Sequence, residues 1–310
     1  MTQSRPARRI GGIRFVHLLV LALAVALGVA LSGATEVSST VAEAATQSPP
    51  TGPRAVEHTV VVDGAARTYR SYTPSGAVSH LPLLVVLHGR GQSPDTVTGQ
   101  TGFLPLVQKQ RAVVVFPDGL GRSWNAGHGC CGASGQRDVP DTAFVASVVA
   151  DTERSQPVDP ARVYLIGYSN GGKLAYSLAC SHPQLFAAMA TYGAVPLETC
   201  PKATPMPALI AAGGVDTVLP IDGEAAGHPV LASMATAVHW LLQRNGCTGT
   251  PPSSTEGPAL VQRWTACRAH SDVESVEYPD LGHPWPAAAV VGQAAAGATL
   301  MWTFLSPHHR

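Results

Sequence analysis

The segment that most constrains this chain is Gly167-Tyr168-Ser169-Asn170-Gly171, which lies between an apolar run and a helix-like stretch. The run at residues 163–166 predicts a buried strand, and the residues from 171 onward predict a helix. A serine at the apex of a strand–turn–helix lifts its hydroxyl clear of the sheet, and small flanking glycines allow the sharp turn. We therefore predict Ser169 to be a nucleophile.

The G-x-S-x-G pattern alone is weak, because glycine accounts for 31 of the 310 residues. A chain of this length and glycine content is expected to contain the pattern roughly 0.2 times by chance. Its place at a strand–helix junction, and the acid and base candidates that follow it, favour a catalytic serine over a simple glycine-rich turn.

Residues 1–44 predict a secretory signal. Four arginines precede an apolar run at residues 15–31, and Ala42-Glu43-Ala44 matches an A-x-A cleavage site. An uncleaved membrane anchor is the alternative, because the run is near the lower length limit for spanning a bilayer. Arg8-Arg9 leaves a twin-arginine signal open. We expect cleavage near Ala44 and secretion, with no membrane partner afterwards.

Residues 45–310 are predicted to form a short leader followed by one domain. Residues 45–55 are rich in Pro, Ser and Thr and predict a flexible leader, whereas residues 56–310 have the length of a single domain. The whole chain carries 20 basic and 20 acidic residues. This balance gives no indication of nucleic acid or an anionic surface as a partner.

Six cysteines follow the predicted signal, at positions 130, 131, 180, 200, 247 and 267. An even number in an exported protein predicts disulfides. We predict a Cys247–Cys267 bond, because it would close an exposed loop after a helix. The adjacent Cys130 and Cys131 either bond each other or bond separately to the other two. No C-x-x-C pair is present, so no zinc site is expected.

Strands and helices alternate along the predicted domain. An antiparallel hairpin is predicted around Asp63-Gly64, at residues 59–62 and 68–72. Further strands are predicted at residues 83–87, 112–116, 163–166, 187–192, 208–212 and 273–278. Helices are predicted at residues 142–155, 171–180, 231–244 and 288–304. This order indicates an α/β fold with a doubly wound, mostly parallel sheet and an antiparallel N-terminal hairpin.

A nucleophilic serine needs a base, and the base needs an acceptor that fixes its tautomer. We predict His283 as the base, because it follows the last predicted strand; His228 and His270 are the alternatives. We predict Asp216 as the acid, because it follows the strand at 208–212 directly. Asp222 is its competitor.

An oxyanion hole needs two amide donors aimed at the developing negative oxygen. One is predicted from the Asn170 amide, next to the nucleophile. The second is predicted from the Arg90 amide, with Gly91 as the alternative, in the segment His88-Gly89-Arg90-Gly91-Gln92. We expect the His88 side chain to hold this loop rather than to act as a second base.

Eight short segments within residues 56–305 are informative when taken together. They are Leu87-His88-Gly89, Phe116-Pro117-Asp118-Gly119, Ser123-Trp124-Asn125-Ala126, Cys130-Cys131-Gly132, Pro157-Val158-Asp159-Pro160-Ala161-Arg162-Val163-Tyr164, Gly167-Tyr168-Ser169-Asn170-Gly171-Gly172, Asn245-Gly246-Cys247 and Gly282-His283-Pro284-Trp285-Pro286. Through these segments the chain resembles the secreted polyhydroxybutyrate depolymerase-like and feruloyl esterase-like enzymes of the α/β-hydrolase superfamily. The resemblance implies an α/β-hydrolase fold and hydrolysis of hydroxy-acid or hydroxycinnamoyl esters through an acyl-enzyme, without a cofactor. Ser169, Asp216 and His283 then carry over as nucleophile, acid and base.

The resemblance also implies that Trp285 and Trp124 line the acyl or alcohol pocket, with Tyr168 as a third substrate-binding residue. Two features depart from the family pattern. Ala212-Gly213-Gly214-Val215 stands where His-Gly-Thr is usual before the acid. Arg90 stands where a small or aromatic residue is common, which suggests the hypothesis that the site prefers substrates carrying a carboxylate.

Two other classes of function fit the same residues. An acyltransferase would use the same triad but admit an alcohol in place of water. A non-catalytic binding protein on the same fold is the other alternative, and the order of serine, acid and base along the chain argues against it.

Overall fold

A computed structural model describes residues 53–76, 78–200, 204–223 and 232–310. These residues fall within one compact unit, Pro50–Arg310. The predicted signal at 1–44, residues 45–52 of the predicted leader and the alternative base His228 lie outside the described residues.

One mixed sheet organises the described part of the chain. Its ten strands are β1 (Ala55–Val62), β2 (Ala65–Tyr72), β3 (Leu81–Leu87), β4 (Val113–Pro117), β5 (Val158–Tyr168), β6 (Ala188–Tyr192), β7 (Ala208–Gly213), β8 (Ser253–Glu256), β9 (Ala259–Trp264) and β10 (Val273–Tyr278). Their spatial order is β1-β2-β4-β3-β5-β6-β7-β10-β9-β8. The six central strands from β4 to β10 pair in parallel, and the hairpins at the two edges pair antiparallel. The predicted fold class is therefore confirmed.

Helices cover the sheet. They are α1 (Pro94–Thr101), α2 (Leu104–Gln108), α3 (Gly132–Gln136), α4 (Asp141–Ser155), α5 (Asn170–Ser181), α6 (Met234–Asn245), α7 (Ala288–Val291) and α8 (Gly297–Leu305). Every residue of β3 and β4 is buried, as expected for parallel strands with helices on both faces. Among the described residues, none of these helices is long and apolar enough to cross a bilayer.

The structure differs from the sequence prediction at several elements. Helices α1, α2 and α3 were not predicted, and β5 begins at Val158 instead of residue 163. The single helix predicted at 288–304 is wrong, because the chain leaves α7 at Gly292 with φ +81° and starts α8 only at residue 297. The β8–β9 hairpin was not predicted, since its outer strand is exposed throughout and has no apolar alternation. Helix α6 begins at Met234, where the Ser233 hydroxyl accepts a hydrogen bond from the Thr236 amide at 3.1 Å.

Three disulfides are present among the described residues. The predicted Cys247–Cys267 bond is confirmed. Cys130 and Cys131 bond each other, which was one of the two alternatives, and Cys180 bonds Cys200. The last bond ties the end of α5 to the segment that follows β6.

A buried ion pair anchors the segment between β4 and α4. Arg67 of β2 donates to Asp141 Oδ1 at 2.8 Å and lies 4.0 Å above the centre of the Phe144 ring. The second oxygen of Asp141 accepts the Asn125 amide at 2.7 Å. The Asp141 side chain is fully buried, so both of its oxygens are satisfied by protein donors instead of bulk water.

We predict that Asp141→Asn destabilises the protein by about 3–5 kcal/mol, because the buried Arg67 loses its charge partner. The matched control is Asp95→Asn, which removes one of the two exposed acidic partners of Arg70 and should cost about 0–1 kcal/mol. Urea unfolding monitored by circular dichroism measures both. Equal losses in the two variants would contradict this account of the ion pair.

Candidate active site

Ser169 occupies a strained turn between β5 and α5. Its backbone has φ 52° and ψ −118°, in a region that residues other than glycine rarely adopt. Close packing makes the turn possible. A Cβ on Gly171 would lie 2.4 Å from the Leu87 carbonyl oxygen, and one on Gly167 would lie 2.5 Å from the Gly171 carbonyl oxygen. The predicted strand–turn–helix is therefore present, with Ser169 at its apex.

The structure brings Ser169, His283 and Asp216 into one chain of hydrogen bonds, called the triad below. Ser169 Oγ lies 2.8 Å from His283 Nε2, and His283 Nδ1 lies 2.7 Å from Asp216 Oδ2. The three residues follow β5, β10 and β7, whose carboxyl ends meet at one edge of the sheet. The alternatives His270 and Asp222 take no part in these bonds.

The Asp216 carboxylate is held by three donors. Its Oδ1 accepts the amides of Val218 and Leu219 at 2.8 Å each, while Oδ2 faces the imidazole. Burial favours a raised pKa for this carboxyl, but the hydrogen bonds from His283, Leu219 and Val218, with the nearby imidazole charge, outweigh it and hold the pKa below its ordinary value. Because its pKa is held low, Asp216 is an ionised acceptor for the His283 N–H, although its side chain is only 3% exposed.

Two tyrosines fix the loop that carries His283. Tyr192 donates to the Gly282 carbonyl at 2.7 Å, and Tyr168 donates to the His283 carbonyl at 3.0 Å. Gly193 has φ +60°, and a Cβ there would lie 3.1 Å from His283 Cε1. Neither Tyr192 nor Gly193 was predicted from the sequence. Their position at the carboxyl end of β6, next to the strand that precedes Ser169, was the signal available.

His88 holds the loop at residues 88–93, as predicted. The Gly119 amide donates to His88 Nε2 at 3.0 Å, so the ring proton is on Nδ1, which donates to the Gly89 carbonyl at 2.8 Å. Burial lowers the pKa of His88, in keeping with a neutral ring.

One of the two predicted oxyanion donors on this loop is already bonded. The Gly91 amide donates to the Arg122 carbonyl at 2.7 Å. The Arg90 amide therefore stays the predicted second donor.

The Asn170 side chain joins the turn at Ser169 to the segment around Trp124. Its Oδ1 accepts the Trp124 amide at 2.7 Å, and its Nδ2 donates to the Trp124 carbonyl at 3.0 Å. The indole of Trp124 donates in turn to the His88 carbonyl at 2.8 Å. Trp124 is fully buried, which favours a role in positioning these loops and does not favour the predicted role in lining a pocket.

The other two predicted substrate-binding residues are also well covered. Trp285 is 3% exposed, and its ring packs 6.0 Å from that of Tyr168, 5.9 Å from that of Tyr192 and 6.1 Å from that of Phe103. Tyr168 is 8% exposed, and its hydroxyl is already bonded to His283. Their substrate contacts stay a prediction.

Comparisons with known proteins identify the family. The family model described as esterase PHB depolymerase matches residues 67–239, more than half of the chain.

The chain belongs to the esterase PHB depolymerase family.

Two relatives of this member of the esterase PHB depolymerase family match over most of the chain. "Putative esterase NocK" of Nocardia uniformis subsp. tsuyamanensis is 29% identical over 77% of this chain and 77% of its own. Feruloyl esterase C of Emericella nidulans is 26% identical over 77% of this chain and 83% of its own. The solved acetyl xylan esterase from Aspergillus awamori shares the fold with a TM-score of 0.57, at 15% identity over 76% of this chain and 99% of its own. Membership supports an ester hydrolase.

We predict that Gly171→Ala destabilises the protein by about 1–3 kcal/mol, because its methyl group would collide with the Leu87 and His88 carbonyls. The matched control is Gly99→Ala in α1, where a Cβ meets no atom within 4 Å. A helical glycine with open space should gain about 0.5–1 kcal/mol on this change. Thermal unfolding compares the two, and equal effects would argue against backbone packing as the constraint on the turn.

Proposed function

We propose that residues 56–310 are the catalytic domain of a secreted serine esterase that hydrolyses carboxylic esters through an acyl-enzyme on Ser169. The observation that carries the proposal is the unbroken chain of hydrogen bonds from Ser169 through His283 to Asp216, at 2.8 and 2.7 Å. These distances are within the range needed for direct proton transfer and for fixing the imidazole tautomer.

In the proposed first half-reaction, His283 Nε2 takes the Ser169 proton as Oγ attacks the ester carbonyl carbon. The Asp216 carboxylate accepts the Nδ1–H throughout, which keeps the Nε2 lone pair facing Ser169 and stabilises the imidazolium as it forms. Collapse of the tetrahedral intermediate breaks the bond to the alcohol oxygen, which leaves with the proton held by His283.

In the second half-reaction, water takes the place of the alcohol. His283 removes a proton from water, hydroxide adds to the acyl carbonyl, and the Ser169 oxygen leaves with that proton, releasing the acid. In both halves the amides of Asn170 and Arg90 donate to the oxyanion. The engagement of the Gly91 amide by Arg122 supports this choice of Arg90. The mechanism uses protein groups and water alone.

Secretion is part of the same proposal. The pattern of residues 1–44 is that of an export signal, and residues 45–55 would link it to the domain. Three disulfides join all six cysteines, which is typical of proteins that fold in an oxidising compartment.

The substrate class proposed is that of hydroxyalkanoate oligomers or polyesters and of hydroxycinnamoyl esters. The family's description and the name of the Emericella nidulans relative both support it. A polyester surface and a soluble oligomer present the same ester group to the triad, so the chemistry is common to both.

We predict that Ser169→Ala and His283→Ala each lower kcat for p-nitrophenyl butyrate by about 10⁴-fold or more, and that Asp216→Asn lowers it by about 10⁴-fold. The matched control is Ser181→Ala, which removes an exposed hydroxyl at the far end of the same helix α5. Its activity should equal that of the unmodified protein.

Each variant is first shown to be folded by its circular dichroism spectrum and melting temperature. A folded Ser169→Ala protein with full activity would overturn the proposed nucleophile. Loss of activity in Ser181→Ala to the same extent would show that the assay reports on fold instead of chemistry.

A further inference from the structure

Two cationic side chains begin beside the proposed reacting centre. Lys173 is one helical turn after the nucleophile, and its amide donates to the Ser169 carbonyl at 3.1 Å. Arg90 is in the loop at residues 88–93, which supplies the proposed second oxyanion donor. The Lys173 side chain therefore starts one helical turn from Ser169, and the Arg90 side chain starts on the residue whose amide is the proposed oxyanion donor. Both start close to the atoms that would hold the ester.

Both side chains run to the same short segment, Cys130-Cys131-Gly132. Lys173 Nζ lies 3.9 Å from Cys130 Sγ. Gly132 faces the other cation, since a Cβ built on it would lie 3.4 Å from Arg90 Cδ. The segment itself is anchored by the Cys131 amide, which donates to the Trp124 carbonyl at 2.8 Å. The Arg90 and Lys173 side chains thus both lie against residues 130–132.

The two charges are close to each other and have no acidic partner in the described part of the chain. Burial lowers the pKa of Lys173, and the nearby Arg90 guanidinium lowers it further. No carboxylate of residues 53–76, 78–200, 204–223 or 232–310 forms an ion pair with either side chain. Lys173 is partly buried, and Arg90 is exposed. Like charges placed close together repel each other, and a bound anion would offset that cost.

We propose that Arg90 and Lys173 form an anion subsite that binds a carboxylate on the ester substrate, next to the carbonyl that Ser169 attacks. A guanidinium and an ammonium together suit the two oxygens of a carboxylate. This proposal rests on the proposed function and narrows its substrate class to esters that carry an acid group. An oligomer of hydroxy acids has such a group at its free carboxyl end.

The carboxylate can belong to the acyl or to the alcohol part of the ester, and two substrate pairs distinguish these sources. p-Nitrophenyl hemisuccinate carries it on the acyl side and is compared with neutral p-nitrophenyl butyrate. 3-Acetoxybutyrate carries it on the alcohol side and is compared with neutral 3-acetoxybutyramide. The quantity measured is the ratio of kcat/KM for the charged ester to kcat/KM for its neutral counterpart.

We predict that Lys173→Met and Arg90→Gln each lower this ratio by about tenfold or more in at least one pair, because a charge-assisted contact to substrate is lost. The matched controls are Lys109→Met and Arg154→Gln, which remove exposed cations elsewhere on the surface. The controls should keep the ratio of the unmodified protein. Ratios unchanged in both subsite variants would overturn the proposal.

A measurement on the unmodified protein covers the case in which a subsite variant fails to fold. The ratio should fall as ionic strength rises from about 0.05 to 0.5 M, because salt screens the attraction between the subsite and the carboxylate. A ratio that does not change with salt would overturn the subsite. Failure of the proposed function has a different signature, since the unmodified protein would then not hydrolyse the neutral esters either.

Discussion

The direct contact between the start of helix α5 and the end of strand β3 is the constraint on which the site depends. Gly171 lies against the Leu87 and His88 carbonyls, where any Cβ would be within 2.5 Å of an oxygen. The residues on both sides of Ser169 are closely packed. This packing holds the chain in a sharp turn in which Ser169 keeps a strained, positive φ. The hydroxyl consequently points out of the sheet edge toward His283.

Hydrogen bonds from strand ends then hold the loops that complete the site. Tyr168 and Tyr192 end β5 and β6, and both donate to carbonyls of the loop carrying His283. Asn170 binds the Trp124 backbone on the other side of the nucleophile. Because these polar atoms are buried or nearly so, each lost bond would leave an unpaired group in a low-dielectric site. The geometry of the triad thus depends on residues that have no part in the proposed proton transfer.

Local patterns predicted most of the sheet and the positions of the three triad residues. Continuous apolar runs mark β3 and β4, which are buried on both faces, and Asp216 and His283 directly follow strands. Contacts between distant segments could not be predicted in this way. The Asn170 side chain binds a backbone 46 residues away, and nothing local to Asn170 indicates that partner. The exposed strand β8 and the break at Gly292 were missed because neither alters the apolar pattern enough to be recognised.

The central claim is that Ser169 is activated by His283 to form a covalent acyl intermediate. The most direct test is labelling of the folded protein with a fluorophosphonate, followed by peptide mass spectrometry. The account predicts one adduct on the peptide containing Ser169, none in folded Ser169→Ala, and much slower labelling in His283→Ala. An adduct on another residue that persists in folded Ser169→Ala, or no adduct on the unmodified protein, would contradict it.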